Sequence, residues 1–170
     1  QAVSKHNPTL RTAIIEVVQT LSTSEQTQTT VISQAASISL PGGLATLDIP
    51  SSSMDSSIPV SVREYECGLV STDASLIGQS CIGVAPHTFS GSVQLKYKVG
   101  SGATSCVKST DEVSNDWRGI PKTDEKTGDG SCVILNGEAH VISTKYSVFS
   151  FRVGDSGLAF AGNLPVGPVT

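Results

Sequence analysis

The residues of this 170-residue chain that could do chemistry are three histidines, four cysteines and a short run of carboxylates. His6, His87 and His140 stand in separate segments, and a lone histidine reads as a surface or hydrogen-bonded side chain rather than a catalytic one. A Ser-His-Asp set can be drawn in any chain this rich in serine, but no Gly-x-Ser-x-Gly elbow fixes a nucleophile. Asp124, Glu125 and Asp129 crowd one stretch. Their spacing departs from an EF-hand loop and Lys126 sits among them, so they read as a solvated loop rather than a calcium site. Gly42-Gly43 and Gly100-Ser101-Gly102 read as turns, since no phosphate-binding motif or helix follows them. No enzyme, metal or cofactor is expected from this inventory.

The cysteines carry the firmest chemical signal. Four permit three pairings. No Cys-x-x-Cys is present and no His lies near a Cys at ligand spacing, which argues against zinc. Cys67–Cys81 and Cys106–Cys132 are the expected disulfides, because each closes a local loop; four buried free thiols are the alternative. Cross-links over loops of this size contribute roughly 3 kcal/mol each in the chain-entropy picture. They also imply an oxidising, extracellular compartment.

The composition points the same way. Charged residues are only 15% of the chain, apolar ones 38%, and serine and threonine together about a quarter. That is the composition of an extracellular β-protein rather than a cytosolic helical one. A net charge of -4 argues against a nucleic-acid surface. No apolar run reaches the roughly 20 residues of a membrane span. The start at Gln1 fits a mature N-terminus left by signal removal. No Asn-x-Ser/Thr sequon occurs, so any glycan would be O-linked on the Ser/Thr-rich edges.

Three segments follow from the patterning: residues 1–28 as an N-terminal arm, 29–161 as an antiparallel β-sandwich, and 162–170 as a Gly/Pro-rich tail. In the arm, Asn7-Pro8 reads as helix N-cap and first helical residue. Leu10, Ala13, Ile14, Val17, Val18 and Leu21 then form one apolar stripe at helical spacing. The β-branched residues in it lower helix propensity, so a strand is the alternative. Residues 22–30 read as a polar linker. Strands are expected over Val31–Leu40, Leu44–Ile49 and Ile58–Val62, the last an edge strand because of Pro59. Val93, Leu95, Tyr97 and Val99 alternate with Gln94, Lys96 and Lys98, the clearest half-buried strand in the chain. Asp111–Gly130 reads as a long surface loop anchored by Trp117. Val133–Leu135 and Val148–Val153 are strands, the latter placing Phe149, Phe151 and Val153 on one face, and Leu158 and Phe160 allow a last short strand. Short strands joined by Gly, Pro and Ser turns define a mainly β, antiparallel sandwich.

The order Cys106, Trp117, Cys132, then Thr144-Lys145-Tyr146-Ser147-Val148-Phe149-Ser150-Phe151 resembles the proteolysis-site end of a GAIN-type domain, the extracellular sandwich of adhesion-type receptors and polycystin-like proteins. Leu47-Asp48-Ile49-Pro50-Ser51-Ser52-Ser53-Met54 is similar to the Ile-Pro-Ser segment of such domains. Phe89-Ser90-Gly91-Ser92-Val93-Gln94-Leu95 looks like the strand that follows it. The resemblance spans residues 30–153 and implies a self-cleavage position in Lys145-Tyr146-Ser147. There a hydroxyl would attack the preceding carbonyl after a base takes its proton. The family has a His where this chain has Lys145, and an ammonium is no base unless strongly desolvated. Two further family cysteines are absent near Ser143. Self-cleavage between Tyr146 and Ser147 is therefore not expected.

Function is then expected from surface rather than catalysis. The leading expectation is a structural subunit of an extracellular filament, polymerising through its arm on copies of itself by a heterologous contact that does not close. The alternative is an uncleaved GAIN-like ectodomain module of a cell-surface adhesion or receptor protein.

Overall fold

The computed structural model describes residues 24–109, 117–123 and 130–153. The expected arm stripe from Leu10 to Leu21, the strand around Leu158 and Phe160, the tail, and Asp124, Glu125 and Asp129 lie outside the described residues.

Eleven strands are described: β1 (Ser24–Thr29), β2 (Ala36–Ser39), β3 (Ala45–Ile49), β4 (Pro59–Glu66), β5 (Ser80–Ala85), β6 (Thr88–Lys98), β7 (Ala103–Ser109), β8 (Trp117–Gly119), β9 (Ser131–Leu135), β10 (Glu138–Lys145) and β11 (Val148–Val153). They build two sheets, ordered β1-β4-β5-β11-β7-β8 and β2-β3-β6-β10-β9. Every pairing is antiparallel. The fold is the mainly β, antiparallel sandwich the patterning implies.

The five-stranded sheet obeys simple alternation. Ala45, Leu47 and Ile49 of β3 and Val93, Leu95 and Tyr97 of β6 are buried, while Thr46, Asp48, Gln94 and Lys96 between them are partly exposed. One face meets the core and the other meets water. The inner face packs against Val60, Val62, Ile82, Val84 and Phe149 of the six-stranded sheet.

The six-stranded sheet is covered on both faces. Its outer face carries a second core of Tyr65, Cys67, Val70, Leu76, Cys81, Val107 and Val148, with Trp117 packed against it. The connection from Cys67 to Gln79 folds over this face. It is fastened by the Cys67–Cys81 disulfide and by Arg152, whose Nη2 donates to Asp73 Oδ2 at 2.8 Å. Double coverage explains why four consecutive residues are buried in β5 (Cys81 to Val84) and in β11 (Val148 to Phe151). The second disulfide, Cys106–Cys132, joins β7 of one sheet to β9 of the other. Both expected pairings are present.

Glycine is required where neighbours leave no room. A Cβ on Gly83 would sit 2.9 Å from the Tyr65 ring, and Gly130, at φ +89°, would bring one within 2.3 Å of the Ile142 carbonyl oxygen. The latter contact is against backbone, which cannot swing aside.

Several expectations are corrected. Residues 24–29 are not a linker but strand β1, paired along its length with β4 from Ser24–Glu64 to Thr29–Pro59. Its side chains are almost all exposed, so backbone pairing forms it and no apolar pattern announces it. The sandwich therefore begins by Ser24 rather than at residue 29. Because β1 covers it, β4 is an interior strand; Pro59 is tolerated there as its first residue. Only Ala36–Ser39 of the expected Val31–Leu40 strand forms, and Val31 and Ile32 lie about half exposed in the preceding connection. Trp117 packs against the outer core and also begins a short strand on β7, so residues 117–119 of the expected loop are strand. Val153 does not share the burial of Phe149 and Phe151: the register with β7 shifts after Arg152 and Val153 turns 57% exposed. Strands β5 and β7 carry no alternation by which their sequences announce them, while β10 buries Ala139, Val141 and Ser143 in alternation.

The cross-sheet disulfide gives a direct test. Replacing Cys106 and Cys132 together by Ala should lower unfolding stability by roughly 3 kcal/mol. In urea denaturation this appears as a lower midpoint with the fold retained by circular dichroism.

Candidate functional site

The segment that both the sequence and the fold single out for chemistry is the junction between β10 and β11, Lys145-Tyr146-Ser147. Two residues link these strands although they belong to different sheets. The chain crosses from sheet to sheet here, which forces Tyr146 and Ser147 into the interior at 2% and 4% exposure. Lys145 remains exposed.

The polar groups of the junction have fixed partners. The Tyr146 N–H donates to the His87 carbonyl at 2.7 Å, and His87 Nδ1 lies 3.0 Å from the Tyr146 carbonyl oxygen. A carbonyl oxygen only accepts, so Nδ1 carries the proton in that contact. His87 comes from the β5–β6 turn, and the next β5 contact, Val84 N–H to the Ser147 carbonyl at 2.9 Å, continues the same pairing. The Ser147 hydroxyl donates to the Ser109 carbonyl at the end of β7. On the other side, Lys108 Nζ and the Ser143 hydroxyl both donate to the Lys145 carbonyl, at 3.3 and 3.1 Å.

The Tyr146 ring reaches into the inter-sheet core. It meets Phe89 edge-on at a centroid distance of 5.6 Å and Phe149 at 5.4 Å, and its hydroxyl donates to the Val93 carbonyl. Burial raises the Tyr146 phenol well above its ordinary range, partly offset by a backbone hydrogen bond from Ser143. Burial raises the Tyr97 phenol further; its hydroxyl donates to the Ser150 carbonyl at 2.7 Å.

This geometry supplies one half of an acyl-transfer site. His87 places a donor on the carbonyl that Ser147 would attack, which is where an oxyanion would need support. The other half is not assembled. The Ser147 proton is directed at a backbone carbonyl, which cannot take it up, and Lys145, at the position where the resembled family has its base, is in solvent rather than desolvated. His87 was not legible as part of the junction: 59 residues separate it from Tyr146, and only the β5–β6 turn brings them together. Around the junction lies a small cavity of about 190 Å³ lined by His87, Lys108, Arg118 and Lys145.

The other residues that the sequence brings forward are dispersed. His140 sits on the outer face of the five-stranded sheet with Nε2 3.3 Å from Glu138 Oε1. The four cysteines form two structural cross-links, and the arm positions Leu10, Ala13, Ile14, Val17, Val18 and Leu21 lie outside the described residues. No group of three potential metal ligands occurs among the described residues. No helix among them is long and apolar enough to cross a membrane.

Fold and junction together define a class: a two-sheet antiparallel sandwich, stapled by two disulfides, with an inward-turned sheet-crossing junction. No family model matches the chain, and no curated protein matches it.

The buried phenols predict an alkaline limit to stability. A phenol whose folded pKa exceeds its unfolded value contributes stability that is complete below the unfolded pKa, about 10, and is lost as pH rises above it. Unfolding free energy should therefore fall with pH from about 10 upward. Tyr146→Phe, which keeps the ring, should flatten that fall while costing roughly 1 kcal/mol at neutral pH for the lost hydroxyl contact. Denaturant titrations across the alkaline range read both effects; an equal slope in wild type and variant would contradict the assignment.

Proposed function

We propose that the chain is a non-catalytic, extracellular β-sandwich module of a secreted or cell-surface protein, an uncleaved counterpart of the GAIN-type domains it resembles. The observation that carries this reading is the junction itself. Tyr146 and Ser147 are spent on packing and backbone pairing, and the Ser147 hydroxyl faces an acceptor that cannot act as a base. The two disulfides are consistent with an oxidising, extracellular setting. The filament subunit expected from the sequence is the second reading; the arm residues on which it depends lie outside the described residues.

The filament reading keeps support from one observation. An apolar groove opens where β2 and β3 stop beside β6 and β10, lined by Ala35, Ala36, Ile49, Pro50, Val93 and Ile142. A groove of that lining is suited to an apolar segment of a second copy.

The first reading is checked on chain secreted from eukaryotic cells. On a reducing denaturing gel it should run as one species, with an intact mass that retains the bond between Tyr146 and Ser147. Two fragments meeting at that bond would overturn it. Ser147→Ala should leave the band pattern unchanged and lower stability by roughly 1 kcal/mol, since it removes one buried hydrogen bond.

A further inference from the structure

The cavity beside the β10–β11 junction gathers positive charge that neither the module nor the filament reading employs. Its volume is about 190 Å³, and Lys108, Arg118 and Lys145 line it together with His87, Thr88 and Ser147. Among the described residues no aspartate or glutamate lines it. The three cations come from β7, β8 and β10, so the fold and not local sequence brings them together.

The sheet register sets their positions. Lys108 stands opposite Phe149 on β11 and opposite Arg118 on β8. Phe149 enters the inter-sheet core, and Lys108 shares that inward direction, with Nζ 6.0 Å from the Phe149 ring centroid. Residues directly opposite in an antiparallel pair hold their Cβ atoms about 5 Å apart, and like charges so placed repel. Lys145 joins the pair from β10, its carbonyl accepting from Lys108 Nζ at 3.3 Å.

Lys108 is 4% exposed, and a charge so buried is costly unless an opposite charge answers it. Arg118 and Lys145 are exposed at the mouth of the cavity. Ammonium and guanidinium groups only donate hydrogen bonds, so the three cannot satisfy one another. The Ser147 hydroxyl is directed to the Ser109 carbonyl and His87 Nδ1 to the Tyr146 carbonyl. The group that fits between the cations is therefore a compact, negatively charged acceptor. A guanidinium fork beside an ammonium matches the oxygens of a sulfate or phosphate. Sites for drug-sized ligands begin at about 300 Å³, so this cavity holds the anionic group itself and leaves any larger bearer outside.

The geometry points to this cavity as a binding site for a small oxoanion, a sulfate or phosphate group held by Lys108, Arg118 and Lys145. The inference is independent of the module and filament readings, and its failure leaves both standing.

Titration of the full chain with inorganic sulfate and inorganic phosphate tests it, with ionic strength held constant by chloride. Nitrogen–proton NMR spectra of the labelled chain should show saturable shifts at the backbone amides of Lys108, Ser109, Arg118 and Ser147. Arg118→Gln and Lys145→Gln change exposed side chains and leave the buried lysine in place, so both should fold. Each should weaken binding about tenfold, the factor that one hydrogen bond to a charged group is worth. Glucosamine 6-sulfate separates two sources of the anion. Competition equal to that of inorganic sulfate assigns a glycan-borne sulfate and weaker competition a free ion, and either bears out the oxoanion site. Absence of saturable shifts with both probes overturns it. Affinity that either variant leaves unchanged marks an adventitious ion only and overturns the three-cation site. Binding that appears only after Asp111→Asn, Glu112→Gln and Asp116→Asn are combined shows the chain's own carboxylates answering the cations, and overturns the bound ligand.

Discussion

The placement of β11 is the constraint on which the rest of the structure depends. In the six-stranded sheet it is the strand between β1-β4-β5 on one side and β7-β8 on the other, so the sheet is continuous only through it. Like β5, it has a core on each face. Phe149 enters the inter-sheet core beside Tyr97 and Tyr146, and Val148 enters the outer core beside Tyr65 and Val107. A strand buried on both faces must satisfy its polar atoms internally. Ser150 does so: its hydroxyl is 3.0 Å from Gln79 Oε1 and 3.1 Å from the Ser80 carbonyl, while its own carbonyl accepts from Tyr97. The connection that folds over the outer face is thus bound to β11 by Gln79 and by the Asp73–Arg152 pair as well as by packing.

That constraint explains why the serine at the β10–β11 junction is buried and hydrogen-bonded to backbone. To feed a central strand of one sheet from an inner strand of the other, the chain must pass through the core in two residues. Every backbone group in that passage is then desolvated and needs a partner, which the β5–β6 turn and the ends of β7 and β10 supply. His87 serves the Tyr146 carbonyl and Ser109 receives the Ser147 hydroxyl. The same requirement that buries the junction consumes the donors and acceptors a reaction would use.

How much of this was legible in the sequence depended on how many sides of a strand are wet. β3 and β6 sit in the sheet with one solvated face, and their alternation of Leu47, Leu95 and Tyr97 with Asp48, Gln94 and Lys96 placed them correctly. β5, with Cys-Ile-Gly-Val buried in sequence, has no period to read, because the second core removes the solvent that would have made one. β1 fails for the opposite reason: Glu25, Gln26, Thr27 and Gln28 are all exposed, so a strand made by backbone pairing looked like a linker. The disulfides were legible because short loops favour local pairs, yet nothing in their spacing said that Cys106–Cys132 would join different sheets while Cys67–Cys81 fastens one face. The junction was legible as a motif and its His87 clamp was not, since that contact exists only after three strands have assembled.

The closure of the sandwich decides which surfaces are left for binding. One lateral side is sealed: Ile120 N–H donates to the Cys106 carbonyl, Cys132 N–H to the Pro121 carbonyl, and the Cys106–Cys132 bridge lies between. The opposite side ends in β1, whose glutamate is engaged by Arg63 at 2.5 Å and whose other side chains are hydroxyls and amides. An edge of that composition presents backbone groups without an apolar face to hold a paired strand, so it is a weak template for augmentation. The outer face of the six-stranded sheet is covered already. What remains is the outer face of the five-stranded sheet, largely polar, and its apolar margin where Ile142 stands beside Ala35 and Pro50. Among the described residues that outer face also exposes Val133 and Leu135 of β9, paired with His140 and Glu138, so its apolar surface is not confined to one margin.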